Sequence, residues 1–286
     1  MSERRIDVLL DGLAFPECLR WHNDRLWFSD VFDRTVHVVS SPGKSNVVLE
    51  VEGQPSGLGW LPDGHLIVVS MVDRQVLRLE GRSVKVHADL RPFFDYNANE
   101  MVVTDTGRAY VGTFGFDIDS GDTPSPAPLV CVEPDGTAWI VAEGLQFPNG
   151  AVVADGGDTL LVAESYGQRI SAYDLQPDGS LTNPRVWGEL KPNVPDGMCI
   201  DADGAVWVSD PVSQGVMRVQ RGVGAVEWID TSQPAYGCVL GGTDGRTLFI
   251  ATSESSEPER SVQMRSGRIE ATKVDVPAPA SPVSVG

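Results

Sequence analysis

The 286-residue sequence predicts an all-β chain, a six-bladed β-propeller of four-stranded blades with its ring closed by the N-terminal strand. Three observations predict it. Long runs with helical periodicity are missing, and short β-branched and aromatic runs alternate with Gly, Pro and Asp-Gly turns. These runs recur in one fixed order, in six units of about 40–50 residues. Finally, a segment near the N terminus has the pattern of the one strand that the sixth unit lacks. A β-sandwich is the competing all-β fold, but it does not explain a sixfold register of start, turn and strand.

Each unit opens on a Pro-x-Gly-like start: FPECLRW from Phe15, QPSGLGW from Gln54, ANEMVV from Ala98, FPNGAVV from Phe147, VPDGMCI from Val194 and AYGCVL from Ala235. A turn follows, at Asn23-Asp24, Asp63-Gly64, Thr106-Gly107, Gly156-Gly157, Asp203-Gly204 and Asp244-Gly245. The second strands come next: LWFSD, LIVVS, AYVGT, LLVAES, VWVSD and LFIATS. The third strands are TVHVV, QVLRL, PLVCV, RISAYDL and GVMRV, with GRIEATKV at residues 267–274 in the sixth unit. NVVLEV, SVKVHADL, AWIVAEG, RVWGEL and AVEWID close the first five units. The sixth has no such strand, and IDVLLDG at residues 6–12 supplies it, which closes the ring and protects its sheet edges. Residues 1–286 thus form a single propeller domain, and the Pro-rich VPAPASPVSVG at the end is a strap or a loose tail.

Composition narrows the partners. Lys and Arg number 22 against 40 Asp and Glu, a formal net charge of −18. Such acidity argues against nucleic-acid phosphates and anionic membranes as partners. Cys18, Cys131, Cys199 and Cys238 have no C-x-x-C spacing and read as buried thiols rather than a disulfide framework. The start, MSERRIDVLLDG, lacks the apolar run of a signal peptide, and no apolar stretch reaches the length of a membrane span, so a cytoplasmic location is expected.

The chemistry is carried by one slot of the repeat. Aligned at the residue after the Pro, the six starts hold Glu17, Ser56, Asn99, Asn149, Asp196 and Tyr236, all with a side-chain oxygen. The next position holds Cys18, Gly57, Glu100, Gly150, Gly197 and Gly237, where glycine allows backbones to crowd together. First strands line a propeller's channel, so equivalent slots share one height and face one axis. Glu17 and Asp196 held close are costly without a proton or cation between them. An all-oxygen set with two carboxylates and two amides suits one hard divalent cation, Ca²⁺ first, with Mg²⁺ and Mn²⁺ next. Cys18 beside Glu17 keeps a softer ion such as Zn²⁺ or Fe²⁺ open. Asp196 in V-P-D-G and Asn149 in P-N-G also fit simple turns, whereas Glu17 in Pro-Glu-Cys does not.

These residues carry a resemblance. FPECLRW, NEMVVTDTGRAYVGT, GLQFPNGAVV and PDGMCIDADGAVWVSD resemble the senescence marker protein/gluconolactonase family, the regucalcin-like lactonases, over nearly the whole chain. The resemblance implies metal-dependent opening of a lactone, with Glu17, Asn149 and Asp196 as metal ligands. It implies that Asn99 meets substrate or a metal-bound water, or is itself a ligand as in related phosphotriesterase propellers. Sugar-lactone members often carry Arg-Phe-Asn-Asp-Gly-Lys where this chain has Asn97-Ala98-Asn99-Glu100-Met101-Val102. Without that Arg and Lys, and with Phe93, Phe94 and Tyr96 upstream, a less polar lactone or ester is as well supported as an aldonolactone.

The expected reaction is attack of water on a metal-polarised ester carbonyl, with Asp196 or Glu100 taking the proton and a hydroxide on the ion as the alternative nucleophile. Asn97, Asn99, Tyr96, Ser56, Tyr236, Phe114 and Phe116 are the expected substrate contacts, the two phenylalanines from the longest loop between second and third strands, at about residues 114–128. The small-molecule lactone or ester is the expected partner, and oligomeric state is left open. A phosphotriester hydrolase on the same site and a non-enzymatic metal- or ligand-binding propeller are the alternatives. The D-x-D-x-G run from Asp117 lacks the later Glu and the helices of an EF-hand. Trp21, Trp27, Trp60, Trp139, Trp187, Trp207 and Trp228 are expected to pack between blades. His22, His37, His65 and His87 read as packing or surface residues, and Ser29, Ser70 and Ser209 as strand ends without a hydrolase elbow.

Overall fold

The computed structural model describes residues 4–118 and 120–280. It has six four-stranded antiparallel sheets that follow one another along the chain as propeller blades. The innermost strands of blades one to five are Pro16–His22, Pro55–Trp60, Ala98–Val103, Pro148–Ala154 and Met198–Ile200. Blade six runs through Ala235–Gly241, Thr247–Thr252 and Gly267–Lys273, then takes Asp7–Leu13 as its outer strand. Asp7 lies opposite Ala271 and Leu13 opposite Gly267, so the N-terminal segment closes the ring as its pattern implied.

Burial follows position in the blade. The innermost strands of blades three and four are buried throughout, while the outer strand Ser83–Asp89 of blade two is mostly exposed. Strands covered on both faces read as unbroken apolar runs for this reason. Apolar layers fill the wedges between blades, as where Val152, Leu161 and Ile170 of blade four meet Met198, Val206 and Val219 of blade five. Trp21 stacks on Phe249 at 5.5 Å between blades one and six, and Trp27 meets Trp60 edge-on at 5.2 Å between blades one and two. Trp228 departs from this pattern, since it is 38% exposed on the outer strand of blade five. All four cysteines are buried free thiols.

A repeated irregularity sets the channel mouth. In blade one, Glu17 pairs with Ser29 but the next pair is Arg20 with Trp27, which puts one extra residue on the inner strand. The same bulge lies between Pro55 and Leu58, Ala98 and Met101, Pro148 and Ala151, and Ala235 and Gly237. A bulge bends a strand and re-aims its side chains. Here it coincides with the slot in five blades. The glycines after the slot are required by crowding: a Cβ on Gly150 would fall 2.6 Å from the Asp196 carbonyl, and one on Gly197 2.8 Å from the Gly237 Cα.

Four blades turn from second to third strand in four residues, at 31–34, 71–74, 165–168 and 211–214. Blades three and six, opposite each other in the ring, use long crossings at 114–126 and 253–266. The second corrects the expectation that residues 114–128 form the longest loop, because 253–266 is longer and contains helix α1 (Pro258–Met264). Seven residues show too little periodicity to mark a helix, although the Pro at its first turn is a start signal. Residue 119 falls outside the described residues, so the D-x-D-x-G run is described only in part. The tail acts as a strap as far as it is described: Ala202 N donates to Pro277 O at 2.8 Å and Ala278 N to Gly245 O at 2.8 Å. Its last residues, 281–286, lie outside the described residues.

Candidate active site

The slot residues reach the mouth because polar side chains at the strand ends pin their loops. Asp30, last residue of LWFSD, accepts from Ala14 N at 2.9 Å and Phe15 N at 2.7 Å, which fixes the chain entering Glu17. Glu164 accepts from Gln146 N at 2.7 Å ahead of Asn149, and Asp210 accepts from Val194 N at 3.3 Å ahead of Asp196. Asp196 N in turn donates to Ser209 O at 2.9 Å, and Ser209 Oγ to Gly197 O at 2.9 Å. Ser29 donates to Ser56 O at 2.7 Å, so Ser29 and Ser209, at their strand ends, hold neighbouring strands together.

Glu17 and Asp196 converge from blades one and five. Burial, then the Asp196 charge, then the Glu100 charge raise the Glu17 pKa well above its usual range. Asp196 is raised by burial first and by Glu100 next, against hydrogen bonds from Asn149 and the Gly197 N–H that lower it. Burial disfavours the charged form, and a second carboxylate nearby adds to that cost. Tyr236 lies in the same field: burial foremost, with Asp196 and Glu17, pushes its hydroxyl up to about 12, so it stays protonated at neutral pH.

The two amides are oriented by donors and acceptors that allow one arrangement. The Ser165 hydroxyl gives its proton to Pro195 O at 2.7 Å, so it can only accept from Asn149 Nδ2 at 3.2 Å. Asn99 Nδ2 donates to Pro148 O at 3.3 Å, a carbonyl that can only accept. Both side chains therefore keep Oδ1 for another partner. The donor set fits a hard divalent cation: two carboxylates whose proton affinity desolvation raises, and two amides whose nitrogens are committed elsewhere. Among the described residues, no three His, Cys, Asp or Glu side chains come close enough to hold an ion, so the amides are part of any such site.

Below the mouth lies a feature that the sequence reading missed. Arg20, 5% exposed, donates to Leu19 O at 2.9 Å, Leu58 O at 3.0 Å and Met101 O at 2.6 Å, tying blades one, two and three together. Its guanidinium also faces Glu100 Oε1 at 3.4 Å, and Glu100 is 6% exposed. The signal was legible, since Arg20 is the one Arg or Lys on the six innermost strands. Ser165 was also missed; it sits in a four-residue turn with no marker of its role.

The other expected contacts divide into two groups. Phe114 stacks on Phe147 at 4.9 Å, and Phe116 and Phe147 both meet Tyr166 at 5.4 Å, an aromatic wall beside Asn149. Within it Phe116 is only 3% exposed. Tyr96 is 37% exposed at the rim, and partly buried Asn97 holds Phe114 N through its carbonyl at 3.1 Å. Ser56 is fully buried with its hydroxyl 3.5 Å from the Cys18 thiol, which places it behind the mouth. Of the histidines, His22 stacks on Trp60 at 3.8 Å and His37 on Phe28 at 4.9 Å, both as packing residues.

Comparison with known proteins agrees with this frame. Pentonolactonase XacC of Haloferax volcanii is 25% identical over 248 residues, covering 82% of this chain and 79% of that one. Regucalcin of Danio rerio is 25% identical over 178 residues, covering 60% of this chain and 59% of its own. In fold, a luciferin-regenerating enzyme superposes with a TM-score of 0.83 at 19% identity, covering 99% of both chains. The family model described as the SMP-30/Gluconolactonase/LRE-like region matches residues 15–254, from the start of blade one into the blade-six crossing, and the chain belongs to that family.

Proposed function

We propose that the chain is a divalent-metal-dependent hydrolase that opens a lactone or related ester at the channel mouth. The observation that carries this reading is the convergence of Glu17 and Asp196, two partly buried carboxylates whose proton affinity is raised by desolvation, with the Asp196 charge adding to the rise at Glu17 and the Glu100 charge to the rise at both. Glu17, Asn149 and Asp196 would hold the cation, with Ca²⁺ the leading candidate. When bound, the ion would supply Lewis-acid polarisation of the ester carbonyl.

The chain's own residues account for the remaining steps. Asp196 takes the proton of the attacking water; its burial offsets part of the basicity lost to a nearby cation. Asn99, its nitrogen fixed on Pro148 O, orients the attacking water, which donates to its Oδ1. The Tyr236 hydroxyl, protonated at neutral pH, can donate to the oxygen that gains charge. Glu100 is held below by Arg20 and is the second candidate for proton transfer. Phe114, Phe116 and Phe147 give one side of the site an apolar face.

The test is acid release in a pH-stat. Protein stripped with EDTA is resupplied with Ca²⁺, Mg²⁺, Mn²⁺, Zn²⁺ or Fe²⁺ against sugar lactones, aliphatic lactones and a phosphotriester. Metal-restored lactone turnover that is absent in Glu17→Gln supports the reading. Turnover of the phosphotriester alone would replace it with the phosphotriesterase alternative, and stoichiometric metal binding without any turnover would replace it with a binding protein.

A further inference from the structure

Helix α1 forms one wall of a cleft that the reaction as described does not use. A cavity of about 330 Å³ lies between α1 and blades one and two, at the small end of the range for ligand pockets. Phe32, Gln54, Pro258 and Val262 line it, with Arg34 and Glu259 also at its wall. Arg34 is already engaged by Glu52 at 3.1 Å, and Glu259 and Gln263 are exposed to solvent, so Phe32, Pro258 and Val262 give the cleft its apolar surface beside Gln54.

Packed aromatic rings bring this cleft close to the mouth. Phe32 stacks on Phe15 at 5.0 Å, and Phe15 meets Tyr236 edge-on at 4.7 Å. Tyr236 occupies the slot of blade six, and Phe15 precedes Glu17 by two residues on the same segment. The roof is built rather than loose. Arg265, the αL cap of α1, donates to Gly12 O at 2.8 Å and to Asp33 at 3.0 Å, which fastens the helix to blade one. Ser261 Oγ donates to Ser255 O at 2.9 Å under the helix. Val262, which lines the cleft, nevertheless stays 45% exposed, an apolar side chain without a full partner.

We propose that the substrate is a lactone bearing an apolar alkyl or aryl arm, and that this arm lies in the cleft between Phe32 and α1 while the ring sits at the mouth. The inference rests on the hydrolase reading and names its substrate class. A hydroxylated arm would meet Phe32, Pro258 and Val262 where it needs hydrogen-bond partners. An alkyl arm loses water there at no such cost.

The experiment uses γ-butyrolactone and its γ-alkyl derivatives up to a hexyl chain, with glucono-δ-lactone as the polar comparison. Non-hydrolysable γ-lactams with the same arms are titrated by calorimetry in parallel. The expected result is a rise in kcat/KM and in lactam affinity of about two- to four-fold per methylene, with the polar lactone poorest. Val262→Asp, on the exposed side of α1, should flatten that dependence while the protein keeps its melting temperature. Phe32→Ala should flatten it as well. Lactam binding that ignores the arm, or a chain-length dependence unchanged in both variants, overturns the cleft assignment whatever the turnover. Arm-dependent lactam binding lost in Val262→Asp, with no lactone hydrolysed, keeps the cleft as an apolar-ligand site and overturns the hydrolase reading instead.

Discussion

Two levels of the same channel bury acid in opposite ways. At the mouth, Glu17 and Asp196 converge; burial raises both pKa values, with the Asp196 charge adding to the rise at Glu17 and the Glu100 charge to the rise at both. One step further in, Glu100 faces the Arg20 guanidinium at 3.4 Å, and the same guanidinium holds three backbone carbonyls. The lower level carries its own cation, so its charge serves to hold blades in place. The upper level lacks one, so its charge is an invitation to a ligand. A fold seldom leaves two desolvated carboxylates without compensation unless function requires them.

The largest expected effect tests the upper level. Asp196→Asn should keep the fold and cost roughly 10²–10⁴-fold in kcat for whichever ester the wild type hydrolyses. Circular dichroism and pH-stat rates check it together; full activity would remove Asp196 from the proposed chemistry. The lower level should respond in stability instead. Arg20→Met leaves Glu100 buried without its cation and strands three carbonyls, at a cost of about 3–5 kcal/mol in denaturant unfolding. Arg20→Met with Glu100→Gln should recover part of that loss, because the unpaired charge has gone.

A subtler effect separates the levels by pH. A folded-state pKa above the unfolded value adds stability that is complete below the ordinary carboxylate range, near ~4, and is lost as pH rises through the folded pKa. Glu17 and Asp196 are raised in this way. The metal-free wild type should therefore lose stability relative to Glu17→Gln as pH rises from the acid side towards 8. Saturating metal should erase the difference by neutralising the pair. Equal pH dependence in the two metal-free proteins would show that the mouth carries no uncompensated charge. The smallest effect concerns the exposed rim: Arg265→Ala removes the pair with Asp33, both side chains more than a third exposed, and should cost at most about 1 kcal/mol.

Much of this was legible before any coordinates. The sixfold register survives in the sequence because five of the six inner strands present the slot through the same bulge, and because Gly57, Gly150, Gly197 and Gly237 sit where inner strands press together. The blade-six closure was legible because IDVLLDG carries strand periodicity with no local partner. What escaped were residues whose role depends on neighbours distant in sequence. Ser165 orients Asn149 only because Pro195 lies beside it, thirty positions on. Ser56 shares the slot pattern with Glu17, yet its side chain ends behind the mouth against Cys18.

The sequence by itself determined the architecture and the six candidate positions, since strand, turn and glycine requirements are local and repeat. Only the tertiary structure decided which of those oxygens face one another, that Arg20 compensates Glu100 but leaves Glu17 and Asp196 uncompensated, and that α1 closes over Phe32. Those are distances between blades. Charge and contact energies depend steeply on such distances, and a repeat written along the chain fixes order around the ring without fixing how closely two side chains approach across it.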